Sequence, residues 1–457
     1  VIDQVQQHIE NNKASYIERL MELLRIPSIS TDPECKKDVH AAGEWVLNAL
    51  NECGIEARMV STPGHPAVIG DTGPVDGGGP TVLTYGHFDV QPVGDESLWK
   101  TPPFEPTVRD GAIYARGAAD DKGQMLTHLF ALEAWKKATG KLPIRIKVLI
   151  EGEEEIGSPN LESLVRDHKK QLECDYVAIS DTAKFSGEIP AITYGTKGLL
   201  YKEITMTGPA NDLHSGSFGG TVGNPGNVLA KIVASMKDPD ERVTIPGFYD
   251  DVKPIADEEK KKMAEMPFTD EGYLKMTGSP GLQGEKGFTT LERRWARPTL
   301  DVNGIHGGFV GEGASTIIPA KMMAKVSMRL VPDQSSAKIS QAFDKYVRDN
   351  APDSVKVSIN TFGATDAYIC PLDSPGINAA ATAVEMGFGT KPFFIREGGS
   401  LPILPMFKSL LDAESLMMGF CWPNCNAHGP NEFFHEADLF NGTKSIAHFF
   451  DQMSRVS

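Results

Sequence analysis

The chain has 457 residues, 40% of them apolar and 23% charged, which is the balance of a globular protein with room for roughly two or three domains. Its 45 lysines and arginines stand against 61 aspartates and glutamates, and the net charge of −16, with no basic stripe, argues against a nucleic-acid partner. No apolar run approaches the ~20 residues that cross a bilayer, so no membrane partner is expected.

Residues 2–24 mix apolar and charged side chains at helical spacing and stop before Pro27. Residues 81–86 read as a buried strand, 123–137 as a helix closing at Gly140, 144–150 as a strand with β-branched alternation, and 176–179 as a third strand. Strands separated by helices indicate an α/β layer with a substantial parallel component. After Gly198 the texture changes to a strand at 199–206, a helix at 227–236, a strand at 321–331, a helix at 337–347 and a strand at 355–361. A charged insert with proline and glycine, at about 238–297, interrupts this α+β region. From Ser374 the α/β texture resumes, with a helix at 378–386, a short strand at 393–395 and a last helix at 436–450. The expected organisation is an α/β domain in two parts, 1–197 and 374–457, with an α+β domain inserted at 198–373. Neither end shows a basic stretch followed by an apolar run, so no secretory signal is visible. Six cysteines in so long a chain are no disulfide framework, and a reducing cytoplasm fits them.

Three segments concentrate groups that bind metal. Gly86-His87-Phe88-Asp89-Val90-Gln91-Pro92 follows a predicted strand, and alternation points His87 and Asp89 the same way. An imidazole beside a carboxylate supplies one metal ligand and one group to fix its tautomer, although a surface His-Asp pair reads the same. In Arg116-Gly117-Ala118-Ala119-Asp120-Asp121-Lys122-Gly123, two adjacent carboxylates repel unless a cation is near; helix capping by Asp121 can coexist with that role. Glu151-Gly152-Glu153-Glu154-Glu155-Ile156-Gly157-Ser158 is either a solvated acidic turn or, at a strand end in an α/β sheet, part of a ligand site. Asp181 follows the third strand and His428 lies near the end of the chain. Two histidines with several carboxylates suit divalent ions such as zinc or manganese.

Together, and with Asp212-Leu213-His214-Ser215-Gly216 and Arg396-Glu397-Gly398-Gly399-Ser400, these segments resemble the aminoacylase/carboxypeptidase family of dinuclear metallopeptidases. Within it they are similar to the cytosolic non-specific dipeptidase (carnosine dipeptidase) branch, over about residues 16–448. The resemblance implies a catalytic domain with a mixed, largely parallel sheet and an inserted ferredoxin-like lid and dimerisation domain. It implies two divalent ions per subunit bridged by Asp120, one completed by His87 and Asp181 and the other by Glu155 and His428. Asp89 would orient His87, Glu154 would be the general base, and a cis peptide would follow Asp120. His214 would reach the site of the partner subunit in a homodimer. Arg329 would clamp the substrate carboxylate, with Thr316, Gly399 and Ser400 as further substrate contacts.

The expected activity is hydrolysis of dipeptides with a free C-terminal carboxylate. An N-acyl-amino-acid deacylase on the same scaffold is the alternative, and a non-catalytic binding protein a third. The long insert favours the dipeptidase branch, and a complete set of ligands with Glu154 speaks against loss of catalysis. Three consecutive glutamates leave the register open by one residue, and Gly157-Ser158 favours Glu154 as base. Asn303 stands where the dipeptidase pattern has a histidine, and Ile156 replaces a small polar residue; both bear on side-chain preference. Cys421 and Cys425, without a second cysteine pair, read as buried free thiols rather than a separate zinc site.

Overall fold

The computed structural model describes residues 1–75 and 78–456 and divides into two compact units. One comprises Val1–Tyr194, Cys370–Ile395 and Met406–Ser457, the other Gly195–Ile369 and Arg396–Pro405.

Consecutive apolar residues build the sheet of the first unit. Its strands lie in the order Glu56–Val60, Ala67–Asp71, Ile146–Glu151, Val82–His87, Tyr176–Ile179, Glu414–Gly419 and Ala191–Thr196. The middle four are parallel and the strands on either margin antiparallel. Val82–His87 and Ile146–Glu151 are buried at every residue, as strands covered on both faces must be. Helix Lys122–Thr139 is buried along most of its length, against strand Val82–His87 and the last helix, Glu436–Met453. It ends where Gly140 takes φ 75°, a left-handed conformation that glycine adopts without a Cβ penalty.

The single amino-terminal helix expected over 2–24 is in fact two, Ile2–Asn11 and Lys13–Leu24. Asn12 leaves the helical region at φ −110° and ψ 11°, and its side-chain amide donates to the His8 carbonyl at 2.8 Å. Short polar side chains compete in this way with the backbone's own bonds.

The second unit carries a four-stranded antiparallel sheet in the order Thr299–Gly307, Lys321–Leu330, Gly198–Thr207, Lys356–Thr365. Along Gly198–Thr207 every second residue is buried, and Leu200, Ile204 and Met206 pack with Leu229 and Ile232 of helix Pro225–Ser235 and Phe343 of helix Ser336–Asp349. Lys202 shares that face; its ammonium is satisfied by Ser340 Oγ at 2.6 Å and Asp344 Oδ1 at 2.8 Å. The charged insert is partly core, since Val243, Ile245 and Phe248 join the same cluster. Among the described residues no helix is long and apolar enough to cross a membrane.

His128, on helix Lys122–Thr139, is buried with Nε2 2.7 Å from Ser180 Oγ, and burial pushes its pKa down to about 3. Between pH 6.5 and about 3 the unfolded chain therefore binds a proton that the folded chain excludes, and stability falls as pH falls. The expected contribution to the slope is at most about 1.4 kcal/mol per pH unit. Urea unfolding of His128→Gln should show a shallower loss between pH 6.5 and 4 than the parent chain; equal slopes would refute this assignment.

Candidate metal centre

The parallel block aligns the ends of its strands, and the acidic and histidine segments project from them. His87 closes strand Val82–His87, opposite Glu151 on one side, while Tyr85 stands opposite Ile179 on the other. The turn carrying Glu154 and Glu155 therefore leaves beside His87, as does Asp181. Asp120 and His428 arrive on loops, the former before a cis Asp120–Asp121 peptide and the latter with φ 61°.

Two groups of ligand atoms form. His87, Asp120 and Asp181 make one, and Asp120, Glu155 and His428 the other, each with its atoms within 4.8 Å of one another. Asp120 belongs to both through different oxygens. Oδ1 lies 3.1 Å from His87 Nε2, and Oδ2 lies 2.9 Å from His428 Nε2. Asp181 Oδ2 is 3.8 Å from His87 Nε2, and Glu155 Oε2 is 3.2 Å from His428 Nε2. Ligands about 2.0–2.2 Å from a zinc ion stand roughly 3–4 Å apart, so both groups suit a divalent cation.

The charges make the same case. Burial, with repulsion from Asp120 and Asp121, pushes the Asp181 carboxyl well above the usual range. Burial acts likewise on Asp121, where His87 opposes the shift and Asp120 adds to it. For His87, burial favours the neutral ring, but hydrogen bonds to Asp120 and Asp89 carry its pKa well above the ordinary value. Carboxyls whose charged forms are disfavoured in this way are groups that a nearby divalent cation would stabilise in the ionised state.

The three glutamates point three ways. Glu153 turns from the site and accepts from the His65 amide at 2.8 Å and Asn160 Nδ2 at 3.0 Å. Glu155 faces His428. Glu154 is raised to about 7, by burial first and then by repulsion from Asp120, Glu155 and Asp89 against the pull of His87. Asp89 faces the same turn: Oδ1 accepts from the Glu154 amide at 3.2 Å and Oδ2 from the Glu155 amide at 3.1 Å. Its main-chain oxygen lies 3.1 Å from His87 Nδ1, with the carboxylate at 3.4 Å.

The sequence matches peptidase family M20/M25/M40 over residues 83–452. It is 32% identical to the Cys-Gly metallodipeptidase dug1 of Schizosaccharomyces pombe, covering 100% of this chain and 99% of the relative. The human Beta-Ala-His dipeptidase is 30% identical, with 100% of this chain and 93% of the relative covered. The crystal structure of the M20 family metallo-carboxypeptidase Sso-CP2 from Sulfolobus solfataricus matches at TM-score 0.87 and 31% identity, over 96% of this chain and 99% of that one. The chain belongs to the M20/M25/M40 peptidases.

The other residues that the sequence singled out lie in the second unit. Arg329, on strand Lys321–Leu330, donates from Nη1 to Ser400 Oγ at 2.8 Å, and burial lowers its pKa. Gly399 accepts from the Lys197 amide at 3.1 Å. His214 is exposed, its Nδ1 accepting from the Ser217 amide at 3.2 Å, and the next residue, Ser215, donates its amide to the Thr316 carbonyl. Thus Arg329 meets Ser400, and His214 lies near Thr316. In the first unit Cys421 and Cys425 are buried free thiols, and Cys421 Sγ donates to the Thr182 carbonyl at 3.4 Å.

Two features escaped the sequence. Asp121 occupies the N-cap position of helix Lys122–Thr139, yet it makes no side-chain cap bond; its Oδ2 accepts from the His87 amide at 3.3 Å. Gln91, in the segment Gly86 to Pro92, has no role that its sequence context reveals. Its Nε2 donates to both the carbonyl and the Oε2 of Glu155, at 3.1 and 2.9 Å, fixing that side chain. Hydrogen bonds to charged groups contribute about 1.5–3 kcal/mol. Gln91→Met should therefore weaken metal binding about tenfold or more in a calorimetric titration, with an unchanged circular dichroism spectrum; unaltered affinity would remove Gln91 from the site.

Proposed function

We infer that the chain is a metal-dependent dipeptidase that hydrolyses the peptide bond of dipeptides bearing a free C-terminal carboxylate. The observation that carries this reading is the pair of ligand groups sharing Asp120, with Glu154 beside them. The relatives named above are peptidases, two of them dipeptidases, which favours this reading over removal of an acyl group from an amino acid.

His87, Asp120 and Asp181 would hold one divalent ion, zinc or manganese, and Asp120, Glu155 and His428 a second. Such ions supply Lewis acidity to the scissile carbonyl and make a water acidic enough to attack near neutral pH. Glu154, buried beside the two groups, takes the proton of the attacking water and returns it to the leaving amine. Arg329 reads the substrate carboxylate through a guanidinium fork steadied by Ser400, with Thr316 and Gly399 as further contacts. His214 of a second copy donates to the developing oxyanion in a homodimer formed through the inserted domain. The edge strand Thr299–Gly307, with Val302 and Ile305 exposed, is suited to that contact.

Glu154→Gln should retain metal while losing about 10²–10⁴-fold in kcat on Cys-Gly and Ala-Ala. Near-normal turnover would overturn the assignment of the base. Arg329→Met should cost roughly 10–100-fold in kcat/KM. A panel of free dipeptides, carnosine, an N-blocked dipeptide and N-acetyl or N-succinyl amino acids, with a chelated control, tests the reaction class. Chelator-sensitive cleavage of free dipeptides supports the reading. Efficient cleavage of the N-blocked dipeptide would make the enzyme a carboxypeptidase, and cleavage of acyl amino acids alone would overturn the reading.

A further inference from the structure

Glu432 has no part in the chemistry described above, yet it is fully buried and its carboxylate is saturated. Oε1 accepts from the amides of Ala119 at 2.8 Å and Asp120 at 3.0 Å. Oε2 accepts from Arg116 Nη1 at 2.7 Å and the Gly117 amide at 3.0 Å. A carboxylate offers about four lone-pair directions, and here each meets a donor.

These bonds join three segments of chain. Arg116, also buried, donates from Nη2 to the Pro92 carbonyl at 3.0 Å, at the end of the segment that begins with His87. The amide donors belong to the loop that ends in Asp120. Glu432 itself stands at the neck of the loop bearing His428, which is closed by the Phe433 amide on the Cys425 carbonyl at 3.0 Å. The Glu432 carbonyl further accepts from the Ala115 amide at 3.1 Å. Gly117 is required for the arrangement. Its φ is 83°, and a Cβ there would fall 2.5 Å from Val90 Cγ1.

We propose that Glu432 is a positioning residue, which ties the Asp120 loop to the His428 loop and so holds the ligand that both groups share in place before any ion binds. The physical need lies in the geometry: Asp120 arrives on a loop and must present Oδ1 to His87 at 3.1 Å and Oδ2 to His428 at 2.9 Å. Glu432 fixes that loop through backbone amides, so Asp120 keeps both of its oxygens free for the two groups. Its own carboxylate meets Arg116 and backbone N–H groups.

The inference rests on Asp120 and His428 being metal ligands, and the test separates the two claims. Metal-free full-length protein and its Glu432→Gln variant are titrated with Co(II), followed by visible absorption. Hydrogen exchange is measured over residues 116–121 and 425–433 of the metal-free parent. The amide of the variant sets an N–H₂ against donors. The expected result is about 10–100-fold weaker Co(II) binding and altered d–d bands, measured on a variant with a native circular dichroism spectrum. A purely structural role would lower the melting temperature and leave affinity and spectrum of the folded protein unchanged, which would overturn the proposal. In the metal-free parent the amides of Gly117, Ala119 and Asp120 should be protected; exchange at the rate of an open loop would overturn it as well, and this measurement decides if the variant does not fold. Absence of Co(II) uptake by the parent would instead refute the metal reading, with the exchange data still judging the clamp.

Discussion

Repulsion among buried carboxylates is the constraint that the first unit is organised around. Asp120, Asp121, Asp181 and Glu154 approach one another, and burial disfavours their charged forms. The fold answers with groups of opposite charge and with dipoles. His87 and His428 meet Asp120 from either side, and their hydrogen bonds outweigh burial to hold its pKa low. Two further buried carboxylates, Asp89 and Glu432, turn toward backbone amides and Arg116. Asp89 thereby holds the turn of Glu154 and Glu155, and Glu432 the loop of Asp120. Carboxylates thus take two places, in the candidate metal groups and as anchors behind them.

The sheet explains how such distant segments meet. In a parallel block every strand ends on the same side, and the register sets how far each following turn extends. Because Tyr85 is opposite Ile179, two further residues bring His87 level with Asp181. Because His87 is opposite Glu151, the chain needs only the short turn at Glu154–Ile156 to bring Glu155 round to His428. An antiparallel sheet would have sent alternate ends to opposite sides. The antiparallel strands are accordingly at the margins, away from the ligands.

Legibility in the sequence followed the range of the interaction. The runs Val82 to Gly86 and Val148 to Ile150 are apolar at nearly every position, because both faces are covered, and they read as strands without help. The acids after them were visible as strand-end residues. Glu414–Gly419 was not, since Leu416, Met417 and Met418 form a run too short to tell strand from helix. Asn12 was missed because one side-chain bond to His8 decides the break. Alternation placed His87 and Asp89 on one side but could not say that the Asp89 carboxylate would spend its oxygens on the next turn. Glu432 is the extreme case. Between Asn431 and Phe433 it reads as a solvated loop acid, and its partner Ala119 lies 313 positions away.

The proton affinity of Glu154 is set by these same groups. Two causes raise it to about 7: burial, and the negative charge of Asp120, Glu155 and Asp89. Burial is fixed by the fold, but the second cause depends on how far those neighbours are neutralised. Cations among these groups would weaken the repulsion and leave burial as the main upward influence. The titration of Glu154 therefore belongs to the cluster and not to a single residue. It also follows that Asp89 acts on Glu154 by two routes, through its charge and through the amide bond that fixes the position of Glu154. A neutral residue at position 89 would change both, so loss of activity there would not by itself say which one catalysis needs.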